Sequence, residues 1–243
     1  MNETLYFIFA IIPAIAWINY FYRTDKGEPE SIKLLLIAFF MGALVVIPAA
    51  YIEIFVTKNL LPSLFFNGEP IPTTFFPYFI LFSFIVVAIV EELFKYLSLR
   101  FSVYYSDGFN EYSDGIIYIV TVALGFAAFE NFLYFLNFGP DIVVVRSIFT
   151  PLFHASASAI VGHYMIQMKY SKVYKRTVAF ALMFSMIIHF LYNLLVYNFS
   201  SSGNYWYVII ASGLLLLSAK WMFDKFKEAE EIDEKCWDCI NKD

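Results

Sequence analysis

Two adjacent carboxylates and a lysine, Glu91-Glu92-Leu-Phe-Lys95, close an apolar run that ends Val-Ala-Ile-Val. On a helix Lys95 stands one turn from both acids, at i+4 from Glu91 and i+3 from Glu92. Paired carboxylates in a low-dielectric setting cannot both ionise freely, and a lysine beside them favours charge on one. An acid and a base held together in this way suit general acid–base chemistry. The competing reading is an ordinary helix end whose Glu and Lys side chains snorkel to the headgroups. Glu130, within Phe129-Glu130-Asn131-Phe-Leu-Tyr134, has apolar sequence on both sides and no basic residue close by in its own helix. Its partner must come from another helix. His154 begins a run of Ala, Ser and Gly, while His189 and Asn193 lie four residues apart and share a helical face.

The elements that must position these side chains are membrane helices. The 243 residues are 60% hydrophobic and 15% charged, far from the soluble norm of roughly 25% charged. Apolar runs near the roughly 20 residues needed to span a bilayer cover 5–22, 32–56, 75–97, 116–138, 143–165, 177–197 and 205–223. The fold class expected is therefore all-α: a polytopic bundle of about seven transmembrane helices. The N-terminal run has no basic segment before it and reads as a retained helix rather than a cleaved signal. With the N-terminus outside and the C-terminus cytoplasmic, all Lys and Arg except Lys58 and Arg146 fall on the inner side, as the positive-inside rule requires. The domains expected are one bundle over 1–223, with a catalytic core at 75–197, and a charged cytoplasmic tail over 224–243.

That tail carries eight carboxylates against four lysines, which accounts for −4 of the net −5, so the acidity gives no reason to expect a nucleic-acid partner. Its Cys236-Trp-Asp-Cys239 pair cannot close a tetrahedral metal site alone. Five ionisable side chains read as lying within lipid: Glu91, Glu92, Glu130, His154 and His189. Each costs about 2.5–3.5 kcal/mol at a helix centre on insertion scales, which makes it a candidate for function. They come from four successive spans. His163, close to the basic segment after it, is expected at the interface and outside the site.

Glu91-Glu92-x-x-Lys95, Phe129-Glu130-Asn131-x-x-Tyr134, His154 with Gly162 eight residues later, and His189-x-x-x-Asn193 resemble the PrsW family of membrane proteases, distant relatives of the CAAX prenyl proteases. The Asp114-Gly115 pair also looks like that family. The resemblance runs over about 75–197 and implies hydrolysis of a peptide bond in a membrane-anchored protein, such as the anti-sigma-factor-like regulators that members of the family cut. The membrane expected is that of a bacterial or archaeal cell. Glu91 or Glu92 would activate water, with Lys95 holding the charge of the pair. His154 and His189 would orient the water or bind a metal, Asn193 would donate to the oxyanion, and Asn131 would support the site. His154, His189 and Glu130 with a water would complete a zinc site, but no His-Glu-x-x-His segment is present, which tips the reading toward a metal-free, glutamate-activated water.

The rival reading is an ion- or proton-coupled transporter using the same Glu/His cluster, against which stands the absence of a detectable internal repeat. A ligand-sensing receptor is favoured by the helix count alone. One geometric difficulty is visible in the sequence. Straight, upright helices separate Glu91 and Glu130 by roughly 12 Å along the bilayer normal.

Overall fold

The computed structural model describes residues 2–60, 76–171 and 174–240, with side chains described except at 76 and beyond 235. The described residues form helices: α1 (Glu3–Thr24), α2 (Ile32–Leu44), α3 (Val46–Phe55) continued by a π-helical turn (Val56–Leu60), α4 (Phe76–Ser102), α5 (Tyr112–Phe138), α6 (Val143–Tyr170) after a 3₁₀ turn (Pro140–Ile142), α7 (Lys175–Ser202) and α8 (Tyr205–Ile240). Seven helical stretches, with α2 and α3 counted as one, are long and apolar enough to cross a membrane. The break between α2 and α3 at Val45 has a local cause: Pro48 has no N–H to offer the carbonyl of Leu44 and its ring crowds it. Most of the expected 57–74 connection lies outside the described residues.

The sequence-read spans are the apolar centres of longer helices. The 36 residues of α8 correspond to about 54 Å at 1.5 Å per residue, well beyond a hydrocarbon core of about 30 Å. The helix passes through 224 without interruption, so no break in secondary structure separates the charged tail from the bundle.

α5 is the central helix, with its residues from Ser113 to Ala128 all buried. A helix apolar on every side belongs in the middle of a bundle. Its neighbours approach at glycines. A Cβ on Gly42 of α2 would overlap the carbonyl of Val122, and one on Gly125 would overlap that of Phe39. On the opposite side Gly162 of α6 meets the Gly115 carbonyl in the same way. Small residues let backbones touch, and in lipid that close packing replaces the hydrophobic effect as the force between helices. The Gly115–Gly162 contact brings α6, with His154, against α5, with Glu130.

The N-terminus of α5 is tied down by carboxylates. Asp114 Oδ2 accepts from the backbone N–H of Asn110 (2.6 Å) and Glu111 (2.8 Å), and Glu111 caps Asp114 in return. Asp233, on the far end of α8, accepts from the N–H groups of Tyr112 and Ser113, each at 2.9 Å. Lys26 N–H donates to Glu230 (3.1 Å), Glu28 N–H donates to Glu111 (3.0 Å), and Tyr118 donates its hydroxyl to Glu30. Asp114 of the Asp114-Gly115 pair is thus a helix cap, and Gly115 is the crossing point.

So many carboxylates in one place push one another toward the protonated form. Burial, and then the charges of Asp114 and Asp233, raise Glu111 to about 7; burial also raises Asp25 to about 6. A carboxyl whose folded pKa exceeds its unfolded value stabilises the protein below the unfolded pKa, and that contribution is lost as pH rises through the folded one. Thermal unfolding of the purified protein should therefore shift to lower temperature as pH rises from about 5 to about 8. Glu111→Gln should flatten that profile, and an unchanged slope in the variant would count against this carboxyl as a source.

Candidate active site

The polar residues of four helices converge inside the bundle. Lys95 has no exposed surface, Glu92 is 1% exposed and Glu91 is 4% exposed. Charges are retained at such depth only when paired and hydrogen-bonded. Glu92 meets that condition fully. Its Oε1 accepts from Lys95 Nζ (2.6 Å) and His189 Nδ1 (2.8 Å). Its Oε2 accepts from the hydroxyls of Ser158 (2.9 Å) and Ser185 (2.6 Å), the latter hydroxyl being shared with the Ala157 carbonyl at 2.7 Å.

Glu91 is the opposite case. Its Oε2 is buried and has no hydrogen-bond partner. It lies 3.6 Å from Lys95 Nζ, 3.7 Å from His189 Nε2 and 4.0 Å from His154 Nδ1. The two carboxylates that look equivalent in the sequence therefore occupy different environments. One is saturated; the other keeps an oxygen without a hydrogen bond, set beside both imidazoles.

Carboxylates on the far nitrogens fix both imidazoles. His189 presents Nδ1 to Glu92, a group that only accepts, so Nδ1 carries the proton and the Nε2 lone pair faces Glu91. His154 presents Nε2 to Glu130 Oε2 at 3.1 Å, so Nε2 carries the proton and Nδ1 accepts from Lys95 Nζ at 2.8 Å. The rings lie 5.2 Å apart, nearly perpendicular, and Phe153 packs edge-on against both. Orientation of a ligating histidine by a carboxylate on its other nitrogen is the usual arrangement around metal centres.

Glu130 holds His154 from outside. It is itself held by Arg146 Nη2 at 3.1 Å, and Arg146 Nε donates to Asn131 Oδ1 at 2.9 Å. The Glu91–Glu130 separation expected from upright helices is bridged by one imidazole, whose two nitrogens reach Lys95 on one side and Glu130 on the other. The partner sought for Glu130 on another helix is Arg146 of α6. The sequence places Arg146 near the start of the fifth apolar run and, by its charge, on the outer side; α6 begins at Val143, as that run does, and its packing on α5 turns the guanidinium toward Glu130.

Several residues of the site escaped the sequence reading. Ser158 and Ser185 are not among the residues singled out from the sequence, since a serine in an apolar run shows no sign of its partner. Glu53 was also missed, although it falls within the second apolar run. Its Oε1 is buried without a hydrogen-bond partner, and its carboxyl lies within electrostatic reach of Glu130 and Lys95. Asn193 is half-buried one turn beyond His189 and has no side-chain hydrogen bond among the described residues. His163 bonds to Gln167 (2.8 Å) and packs on Trp221, away from the cluster.

Among the described residues, Glu91, His154 and His189 offer ligand atoms that all lie within 4.8 Å of one another. Two imidazole lone pairs and an unpartnered carboxylate oxygen form a donor set that suits a catalytic zinc ion. Glu130, also a candidate ligand in the sequence, lies outside this group and against the far nitrogen of His154.

Residues 30–218 match the model of the PrsW family intramembrane metalloproteases, a range that contains every residue of this cluster. The chain is 33% identical to Protease PrsW of Oceanobacillus iheyensis over 194 residues, 79% of this chain and 82% of the relative. It is 33% identical to Protease PrsW of Bacillus subtilis over 66% of this chain and 67% of the relative. With Protease PrsW of Geobacillus kaustophilus it shares 29% identity over 90% of each chain. No solved structure matches it significantly. This chain, with seven helices long and apolar enough to cross a membrane among its described residues, is an integral membrane protease and belongs to the PrsW family.

Proposed function

We propose that the protein cuts a membrane-anchored protein substrate, with Glu91 as the group that takes the proton of the attacking water. The observation that carries this reading is the contrast within the pair: Glu92 is saturated by hydrogen bonds, while Glu91 keeps a buried, unpartnered oxygen beside two imidazoles. Glu92 anchors, holding Lys95 and His189 in place. Glu91 then returns the proton to the leaving amine. The Lys95 ammonium, 3.6 Å from Glu91, and the unoccupied amide of Asn193 are the donors available to the developing oxyanion.

The family description implies a metal ion; Glu91, His154 and His189 would hold it, and in that form Glu91 would take the water's proton through its non-ligating oxygen. Such an ion, when bound, supplies Lewis-acid polarisation of the scissile carbonyl. His154 Nδ1 must then exchange its Lys95 hydrogen bond for the ion. The substrate class that fits is a single-span regulatory protein of the anti-sigma-factor kind. On the charge distribution, the end bearing Arg23, Arg100 and Lys169 faces the cytoplasm.

Protein reconstituted in vesicles with a quenched, membrane-anchored peptide substrate tests the reading. Hydrolysis is expected, and none over a broad panel of anchored substrates would overturn it. Chelation that stops hydrolysis, with recovery on adding zinc, assigns the metal-loaded form; hydrolysis indifferent to chelation assigns the metal-free one. Arg146→Gln should lower kcat/KM by about 10- to 100-fold, the usual range for residues that orient a catalytic histidine or ligand from behind. Full activity in that variant would remove Glu130 and Arg146 from the mechanism.

A further inference from the structure

Away from the candidate active site, at the basic end of the bundle, a cavity of about 330 Å³ lies between α4, α6 and α7. It is lined by Tyr96, Arg100, Met168, Lys175, Val178 and Leu182, among others, and among the described residues by no acidic side chain. Arg100 belongs to the last turn of α4 and Lys175 opens α7, so both cations stand where those helices leave the hydrocarbon. Arg100 is held flat against two rings, 4.2 Å from Tyr104 and 4.5 Å from Tyr105. Arg100 nevertheless remains part-exposed and lines the cavity. Guanidinium is the side chain best shaped for a phosphate.

We infer that this cavity binds the headgroup phosphate of an anionic phospholipid, with Arg100 and Lys175 on the phosphate and the aliphatic walls of Val178, Leu182 and Met168 against the upper acyl chain. Three features select a lipid over a soluble anion. The cavity sits at headgroup depth, it pairs two cations with apolar walls, and Ala179 at its rim is exposed on the flank of α7, which leaves a way in from the bilayer. Basic pockets between transmembrane helices are where acidic headgroups are held. The bound lipid would tie α4, next to Lys95, to α7 three residues before Ser185.

The full-length protein, stripped of lipid in mild detergent, is titrated with short-chain phosphatidylglycerol and with phosphatidylcholine of the same chains. Binding is followed by native mass spectrometry and by unfolding temperature. Phosphatidylglycerol is expected to bind preferentially and to raise the unfolding temperature. Arg100→Gln with Lys175→Gln should weaken that binding by about thirtyfold, from the attraction each cation near a headgroup contributes. Ala179→Trp, which obstructs the rim and keeps both charges, should weaken it as well and guards against loss of fold in the double variant. Equal binding of the two lipids, or phosphatidylglycerol binding unchanged in both variants, would overturn the assignment. Inorganic phosphate that stabilises the protein as much at matched phosphate concentration would overturn the lipid as its source.

Discussion

Glu91→Gln is expected to reduce hydrolysis of an anchored substrate by about 10²- to 10⁴-fold, the range set by loss of a positioned proton acceptor, while leaving the unfolding temperature close to that of the native chain. The two halves of this result come from one fact. Glu91 Oε2 makes no hydrogen bond, so little of the architecture depends on its charge, whereas a neutral amide cannot take a proton from water. If the metal-loaded form is the active one, the variant should also hold zinc more weakly in equilibrium dialysis, because one of three convergent donors has been exchanged for a poor one. Hydrolysis at the native rate in Glu91→Gln would exclude it as the proton acceptor.

Glu92→Gln should behave differently, losing stability together with activity. Lys95 has no exposed surface, and its shortest contact is the 2.6 Å bond to Glu92. Removing the negative member of a buried pair leaves an uncompensated charge and costs about 3–5 kcal/mol. His189, Ser158 and Ser185 also lose a charged acceptor, and a hydrogen bond to a charged group contributes about 1.5–3 kcal/mol. His189 is then free to rotate or change tautomer, so activity falls even where the variant folds. The double change Glu92→Gln with Lys95→Met should recover part of the stability and none of the activity, since it removes the orphaned ammonium without restoring the orientation of His189. Differential unfolding and turnover on the same preparations separate the two effects. A Glu92→Gln variant as stable as the native chain would show that Glu92 is not the anchor.

Composition and hydropathy alone identify lipid as the solvent and a bundle of membrane helices as the architecture. Seven apolar runs read directly as seven spans, because each isolated helix must satisfy its own backbone and hide from water. The cost of an ionisable group in lipid then drew attention to Glu91, Glu92, Glu130, His154 and His189, all of which the tertiary structure brings into one connected cluster. Tertiary structure decided how the labour is divided within that cluster. Adjacent glutamates point to different neighbours only once α6 and α7 supply Ser158, Ser185 and His189, and no spacing along α4 encodes which one is saturated. Arg146 and Glu53 show the same limit from the other side. A charge near a helix end reads as an interfacial residue until the packing of another helix turns it inward, and for Arg146 that packing follows the short turn at Pro140–Ile142 that folds α6 back along α5. Periodicity gives each helix its environment, but the partner of a buried polar group is a property of the packing between helices, which is fixed by shape across chain segments far apart in sequence.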